Sequence, residues 1–255
     1  MLRRGLGPPN IGVRLSANPR YTLNKGLASR GKTDPMSKLK EYTVAMARPL
    51  PVIVLADVSG SMAAAGKIDA LNTALSEMIA AFVQEDAAQA EIHVAVITFG
   101  AEVRLHQALA PARDVAWQGL RASGRTPMGA AFDLARDLIE DRSRIPGRAY
   151  RPTIVLVSDG LPTDTWSEPL QRLLGSERAG KAQRFALGIG ADANRDMLAE
   201  FLADPAGRVY EAHESRQIRN FFRWVTMSVS QRTRSVAPNQ SVMIAPEDLD
   251  DYDDF

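Results

Sequence analysis

Two short apolar segments, each ending in an aspartate, constrain the fold of this chain more than any other feature of its sequence. They read PVIVLAD at residues 51–57 and RPTIVLVSD at residues 151–159. Both contain β-branched side chains and are short enough to be strands buried on both faces. The sequence therefore predicts a parallel sheet in which two strands end in a carboxylate.

Amphipathic segments alternate with these strands. In residues 67–84 the apolar side chains follow the i, i+3, i+4, i+7 spacing of a helix; they are Ile68, Leu71, Leu75, Met78, Ile79 and Phe82. Further helices are predicted at 126–142, 168–180, 194–203 and 215–232, and further strands at 91–100, 101–109, 182–190 and 208–212. Thr126 is the predicted cap of its helix, and Pro127 is the predicted first helical residue. This alternation predicts a single doubly wound, mostly parallel α/β sheet with helices on both faces.

The charges are arranged in blocks around a balanced centre. Residues 1–45 contain nine Lys and Arg against Asp34 and Glu41, and residues 246–255 contain six acidic residues and no base. We expect a flexible basic N-terminal arm at 1–47, a domain at 48–234 and an acidic C-terminal tail at 235–255. The charge blocks either find partners electrostatically or only keep the chain soluble, and composition does not choose between these interpretations.

Composition excludes several classes of protein. The chain has 45% hydrophobic and 24% charged residues, which excludes a disordered protein, and it has no cysteine for a disulfide or a thiolate metal site. It contains no apolar run of the roughly 18–20 residues that span a bilayer, and no hydrophobic signal segment follows its first basic residues. We therefore expect a cytoplasmic protein without a membrane partner.

Oxygen-bearing side chains collect where strands of the predicted sheet end. They are Asp57, Ser59, Ser61, Thr126 and Asp159. The carboxyl ends of parallel strands form the usual binding edge of an open α/β sheet. Carboxylates and hydroxyls suit Mg²⁺ or Mn²⁺, and Gly60 would let alternate side chains of its loop face one ion. The alternative is a polar turn that only caps the helix beginning near Lys67.

Three motifs resemble the von Willebrand factor A domain over residues 50 to about 232. They are DVSGSM at 57–62, RTPMG at 125–129 and SDG at 158–160. The resemblance implies a metal-ion-dependent adhesion site, a non-catalytic device in which Mg²⁺, Mn²⁺ or Ca²⁺ binds a carboxylate of a partner protein. It implies that the five oxygen-bearing residues above are the metal ligands, some of them through water.

Two further residues are predicted to contact the partner. Arg125 stands where many members of that family have glycine, and its guanidinium would suit an acidic partner or would simply point to solvent. Trp166, just past Asp159, would add an apolar ring to the binding face.

The flanking sequences narrow the resemblance further. RPLPVIVLADVSGSM and GRTPMGAAFDLA resemble the bacterial tellurium-resistance-associated von Willebrand A proteins. This resemblance implies a stress-response or phage-defence system with kinase or phosphatase partners.

Other functions are weaker interpretations of the same residues. A metal-dependent hydrolase or phosphatase would use Asp57 as its nucleophile, but Ser59 occupies the place of a second aspartate. A nucleic-acid-associated factor would use the basic arm, but a patterned basic face with aromatic residues is missing. His93, His106 and His213 are far apart and form no metal motif. The acidic tail could reach the metal of its own or another copy, giving self-association, or could dock in a basic groove of another protein.

Overall fold

A six-stranded sheet forms the centre of the computed structural model, which describes residues 47–85 and 90–240. The strands are β1 (Arg48–Asp57), β2 (Ala90–Phe99), β3 (Val103–Pro111), β4 (Thr153–Ser158), β5 (Gln183–Ile189) and β6 (Tyr210–Ala212). Their spatial order is β3-β2-β1-β4-β5-β6, and every pair is parallel except β2 and β3. The predicted mostly parallel sheet and the predicted hairpin around Gly100 are both confirmed.

The described residues form five α-helices, four between successive strands and one after β6. They are α1 (Lys67–Gln84), α2 (Met128–Glu140), α3 (Ser167–Gly175), α4 (Arg195–Leu202) and α5 (Ser215–Arg234). Each predicted helix is present, with ends displaced by a few residues. The loop between β1 and α1 folds into 3₁₀ turns over Gly60–Gly66, so it is more compact than an open loop.

Alternate side chains of β1 enter two apolar layers. Leu50, Val52 and Val54 pack with buried side chains of α1 and α5 on one face of the sheet. Ile53 and Leu55 pack with buried side chains of α2, α3 and α4 on the other face. Burial of one such side chain contributes about 1.5–3 kcal/mol, which explains why both faces of a strand that is apolar between its two end residues must be covered.

The predicted start of α2 is wrong in one detail. The helix begins at Met128, Pro127 occupies the cap position, and the Thr126 side chain does not cap the helix. Instead, Asp164 accepts hydrogen bonds from the N–H groups of Gly129 and Ala130, both at 3.0 Å. A carboxylate satisfies two free N–H groups and faces the positive end of the helix dipole, so it replaces the expected hydroxyl cap.

The strand order reverses between β1 and β4. β2 and β3 lie on one side of β1, whereas β4, β5 and β6 lie on the other. In parallel sheets a crevice opens at the carboxyl ends of the two strands that flank such a switch point. β1 ends at Asp57 and Asp159 directly follows β4, so the topology brings both aspartates to this crevice.

The predictions about charged arms concern residues that fall largely outside the described ranges, namely 1–46 and 241–255. Within the described part, Asn239 accepts a hydrogen bond of 2.9 Å from the N–H of Arg151, so the segment after α5 contacts the sheet near the start of β4. No helix in the described ranges combines the length and apolar character needed to cross a membrane.

Candidate metal centre

Asp57 is buried at the end of β1 and both of its carboxylate oxygens accept hydrogen bonds. The N–H of Ser59 donates to Oδ1 at 2.8 Å, and the Ser158 hydroxyl donates to Oδ2 at 2.6 Å. Burial raises the pKa of Asp57, because the charged carboxylate loses its hydration. The nearby Asp159 also raises this pKa, whereas the hydrogen bonds from Ser158 and Ser59 lower it. A cation placed here would therefore stabilise a carboxylate that the fold leaves under-compensated.

Two hydroxyls connect the end of β1 to the end of β4. Ser59 Oγ and Ser61 Oγ lie 2.9 Å apart, and Ser61 Oγ donates to Asp159 Oδ1 at 2.7 Å. Ser59 and Asp159 are buried, whereas Ser61 is exposed. The structure thus brings four of the five predicted ligands into one hydrogen-bonded chain that reaches the surface at Ser61.

The loop that carries Thr126 packs directly on the loop after β1. The N–H of Gly60 donates to the carbonyl of Gly124 at 3.0 Å, and Gly124 has a φ of 82°, which strongly favours glycine. A Cβ on Gly60 would lie 3.5 Å from the same carbonyl oxygen. That distance is an ordinary van der Waals contact, so the packing of the two loops does not require a glycine at position 60.

Thr126 itself is buried beside the Asp159 loop. A Cβ on Gly160 would lie 4.0 Å from Thr126 Oγ1. The Thr126 N–H donates to Thr163 Oγ1 at 3.1 Å, and the Thr163 N–H donates back to the Thr126 carbonyl at 2.9 Å. Among the described residues, no hydrogen bond joins Thr126 Oγ1 to the other four predicted ligands, so this hydroxyl borders their chain without belonging to it.

Sequence reasoning missed several residues that organise this centre. Ser158 binds Asp57, and Lys67 Nζ forms an ion pair of 2.7 Å with Asp159 Oδ2. Ser158 could have been found as the hydroxyl-bearing residue directly before Asp159 at the end of the β4 run. Lys67 had a signal too, because a cation in the first turn of a helix opposes the helix dipole and needs another reason to be there.

The donor set fits a small, hard divalent cation. Carboxylate and hydroxyl oxygens are the ligands that Mg²⁺ and Mn²⁺ accept, and water would complete the coordination. In the described part of the chain, no group of three His, Cys, Asp or Glu side chains is placed to hold a metal ion, so an ion here would depend on two carboxylates and on hydroxyls. The ligand roles of Asp57, Ser59, Ser61, Thr126 and Asp159 stay predictions that this arrangement permits.

The predicted partner-binding residues flank the centre. Arg125 is exposed directly beside Thr126. The Trp166 ring is half-buried against the apolar layer of α2, α3 and α4, which anchors it just before α3. Neither placement tests contact with a partner, so both roles stay predictions.

Two of the three histidines, His93 and His106, are engaged away from the candidate metal centre. His93 Nε2 lies 2.8 Å from Glu91 Oε2 near the start of β2, at the opposite edge of the sheet from Asp57. His106 Nε2 lies 2.7 Å from the carbonyl oxygen of Gln118. These contacts favour structural roles over participation in the candidate metal centre.

Comparison with known proteins agrees with this fold. The family model described as von Willebrand factor type A domain matches residues 52–224. No curated protein sequence matches the chain.

Several solved structures share the fold. A von Willebrand factor type A protein from Catenulispora acidiphila is 20% identical with a TM-score of 0.52, and the match covers 71% of this chain and 42% of that one. Proximal thread matrix protein 1 from the mussel byssus, solved with a zinc-occupied MIDAS motif, is 15% identical with a TM-score of 0.58, covering 71% and 48%. The pilus adhesin SpaC from Lactobacillus rhamnosus GG, in an open conformation, is 14% identical with a TM-score of 0.60, covering 74% and 31%. This chain thus spans less than half the length of each, and identities this low show the fold alone.

Proposed function

Because this chain belongs to the von Willebrand factor type A domain family, we propose that it is a non-enzymatic protein-interaction module whose candidate metal centre holds a divalent cation. Through that cation the module binds an acidic residue of a partner protein. The observation that supports this proposal most is the hydrogen-bonded chain from Asp57 to Asp159 at the switch point of the sheet, which runs through the N–H and hydroxyl of Ser59 and the hydroxyl of Ser61.

The ligand residues of the chain would differ in how freely they can adjust to a cation. Asp57 is fixed by Ser59 and Ser158 and would present a rigid carboxylate. The hydroxyls of Ser59 and Ser61 can rotate, so each can turn a lone pair toward an ion and its proton toward a neighbouring oxygen. When bound, the cation would offer a coordination position at which a carboxylate of the partner can replace a water molecule. The exposed side of Ser61 is where such a carboxylate could approach.

Two relatives give limited support for the metal and the partner. The mussel protein has been solved with a zinc-occupied MIDAS motif, and SpaC is a pilus adhesin. We propose Mg²⁺ as the working ion of this chain, with Mn²⁺ and Ca²⁺ as alternatives, because its donors are all oxygen atoms.

The position two residues after Asp57 favours a ligand over a nucleophile. A phosphatase with an aspartate nucleophile would use a second aspartate at that position, and a carboxyl group there could act as its general acid, but this chain has Ser59. We therefore propose that the chain does not hydrolyse phosphate esters. Steady release of phosphate from an aryl phosphate, lost in Asp57→Asn, would contradict this.

Calorimetric titration with Mg²⁺ and Mn²⁺ tests the metal centre. The wild-type chain should bind one ion, and Asp57→Ala and Thr126→Ala should each lose at least about tenfold in affinity, because one ligand removed at a small site is worth more than 1.4 kcal/mol. Asp192→Ala is the matched control, since Asp192 is exposed in the loop after β5 at the same edge and lies outside the hydrogen-bonded chain.

A pulldown with and without EDTA tests the interaction. Partners should be lost with EDTA and in Asp57→Ala, and retained in Asp192→Ala. Saturable metal binding with EDTA-resistant partners would contradict a metal-mediated contact, and absence of metal binding in the wild type would contradict the proposed centre.

We also propose a cellular setting for this module. The segments around its motifs resemble the tellurium-resistance-associated von Willebrand A proteins, which suggests a bacterial cytoplasmic stress-response or phage-defence system with kinase or phosphatase partners. Identification of the EDTA-sensitive partners by mass spectrometry tests this setting. Recovery of extracellular or envelope proteins alone would contradict it.

A further inference from the structure

A lysine ammonium lies inside the candidate metal centre. Lys67 Nζ is 2.7 Å from Asp159 Oδ2, while the other oxygen of Asp159 accepts the hydrogen bond from Ser61. The Asp159 side chain is 0% exposed and the Lys67 side chain is 22% exposed. The ion pair is therefore largely shielded from water, which makes it stronger than a pair at the surface.

Local structure holds Lys67 at this position against the preference of its helix. Gly66 adopts a φ of 69° and turns the chain from the 3₁₀ turns into α1, which makes Lys67 the first residue of that helix. A positive charge in the first turn is unfavourable beside the helix dipole. A Cβ on Gly190, at the end of β5, would lie 3.8 Å from Lys67 Nζ, so a glycine borders the ammonium. The carboxylate of Asp159 is the group that offsets this unfavourable position.

We propose that Lys67 is a resident counter-charge of the metal centre, which competes with the divalent cation for Asp159 and sets the charge of the loaded site. This inference rests on the proposed function. Asp57, Asp159 and Lys67 together carry one net negative charge, so a divalent cation leaves the centre with one net positive charge. Without Lys67 the loaded centre would be neutral.

Two consequences follow from this charge balance. The ammonium repels the incoming cation and occupies a carboxylate oxygen, so it weakens metal binding. The positive charge that remains after loading attracts an anionic group, which makes a carboxylate the favoured ligand over a neutral one. Lys67 thus lowers the affinity of the centre for the metal and raises the affinity of the loaded centre for an acidic partner.

Titration of the full chain with Mn²⁺ tests this role. Lys67→Met should bind Mn²⁺ about tenfold more tightly than the wild type, because an ammonium a few ångströms from the ion is removed. Lys67→Arg, which keeps the positive charge, should stay within about threefold of the wild type. Lys181→Met is the matched control, since Lys181 is exposed in the 3₁₀ turn before β5 and should leave the affinity unchanged.

Thermal unfolding gives a second readout that does not depend on the affinity. Without metal, Lys67→Met leaves the buried Asp159 with its hydrogen bond from Ser61 but without a counter-charge, so the Tm of this variant should fall. With saturating Mn²⁺, the Tm of the variant should rise by more than that of the wild type. Lys67→Gln can still donate a hydrogen bond to Asp159. Its Tm should therefore also fall without metal and rise with Mn²⁺, but the fall should be smaller than that of Lys67→Met. If Lys67→Met and Lys67→Gln bind Mn²⁺ no more tightly than the wild type does, the proposed role of Lys67 as a counter-charge is wrong. Loss of Mn²⁺ binding in every protein, wild type included, would overturn the proposed function as well.

Discussion

Asp57 shows how a single residue can oppose stability and serve binding. It is 0% exposed, and its ionised form is penalised by burial and by the neighbouring Asp159. Hydrogen bonds from Ser59 and Ser158 reduce the penalty without removing it. A carboxylate in this condition is useful where a cation is meant to bind.

Asp57→Asn should therefore stabilise the metal-free protein while abolishing its response to metal. An asparagine can accept the hydrogen bond from the Ser59 N–H and donate its own to Ser158 Oγ, so both contacts survive without the buried charge. We expect a rise in Tm of about 2–4 °C in EDTA, and no further rise on addition of Mn²⁺. Differential scanning calorimetry at neutral pH measures both effects.

The stability advantage of Asp57→Asn over the wild type should depend on pH in a definite direction. Because the pKa of Asp57 is raised in the folded state, its ionisation destabilises the fold at pH values above that raised pKa. As the pH falls through the folded pKa toward the ordinary value of 3.8, Asp57 becomes neutral and the advantage of Asp57→Asn should disappear. An advantage that grows in acid would contradict the assigned cause.

The sequence predicted the oxygen-bearing residues of the site better than the residues around them. Asp57 and Asp159 were recognisable because each ends an apolar strand. Ser158 and Lys67 were not predicted, because each contacts a residue across the pair of strands β1 and β4: Ser158 binds Asp57, and Lys67 binds Asp159. That information lies in the strand order, which is a property of the folded sheet.

At the scale of elements, the start of α2 depends on a loop that is distant in sequence. Asp164 binds the N–H groups of Gly129 and Ala130, and a Cβ on Gly129 would lie only 2.2 Å from the carbonyl oxygen of Thr165. The loop after β4 and the helix therefore fit together closely. A cap supplied from another loop has no local sequence signature, which is why Thr126 was the expected cap.

Asp164→Ala should destabilise the fold and weaken the metal centre together. The loss of two hydrogen bonds and of a charge at the helix start should cost about 1–2 kcal/mol. Because Thr163, next in the chain, holds the backbone of Thr126, Mn²⁺ affinity should also fall several-fold. Urea unfolding and calorimetric titration measure the two effects. In Asp164→Asn, which keeps one acceptor, both losses should be smaller; full stability in Asp164→Ala would refute the cap.

Arg232 connects the end of α5 to the amino ends of β4 and β5 through hydrogen bonds. Its guanidinium donates to the carbonyls of Pro238 and Arg151, to Thr153 Oγ1 and to Gln183 Oε1, at 2.6–3.1 Å. Burial lowers the pKa of Arg232 to about 10, so the side chain is still charged at neutral pH. This residue links the end of the last helix to β4 and β5.

Arg232→Lys should cost about 2–4 kcal/mol of the free energy of unfolding. A compact ammonium cannot reach acceptors placed on several sides of a planar guanidinium, so buried oxygens lose their donors. Urea denaturation measures the loss. Arg234→Lys is the control, because Arg234 is 73% exposed and its pair with Glu85 should change stability by less than about 1 kcal/mol. A loss in Arg232→Lys no larger than the control's would contradict this connecting role.

At the scale of the whole molecule, the class of fold followed from the alternation of strands and helices, whereas the strand order did not. A parallel sheet with helices on both faces is what segments such as 51–57 and 67–84 require. Periodicity fixes which side of a helix is buried, but it leaves open which face of the sheet that helix covers. The switch point between β1 and β4, which creates the candidate metal centre, depends on that choice.

The acidic segment at residues 246–255, which lies outside the described residues, bears on how the whole chain associates. Its six carboxylates are the same chemical group that we propose the metal recognises in a partner. Fifteen residues, 241–255, follow the last described residue, Gln240, and a fully extended chain of that length would reach about 50 Å. That length would allow the segment to compete for the metal of its own or of another copy.

Removal of residues 246–255 should therefore abolish any Mn²⁺-dependent self-association and should strengthen binding of EDTA-sensitive partners. Light scattering with Mn²⁺ and with EDTA measures the first effect, and the pulldown measures the second.

A scrambled segment of the same composition separates two explanations for the effect of the segment. A metal-bound carboxylate needs only acidic side chains, so it tolerates scrambling. Docking in a basic groove of another protein depends on the order of Leu249, Tyr252 and Phe255, so scrambling would abolish it. Unchanged association and unchanged partner binding after the deletion would exclude the segment as a competing ligand. The charge on this segment would then serve solubility, and selectivity for acidic partners would depend on the metal centre itself.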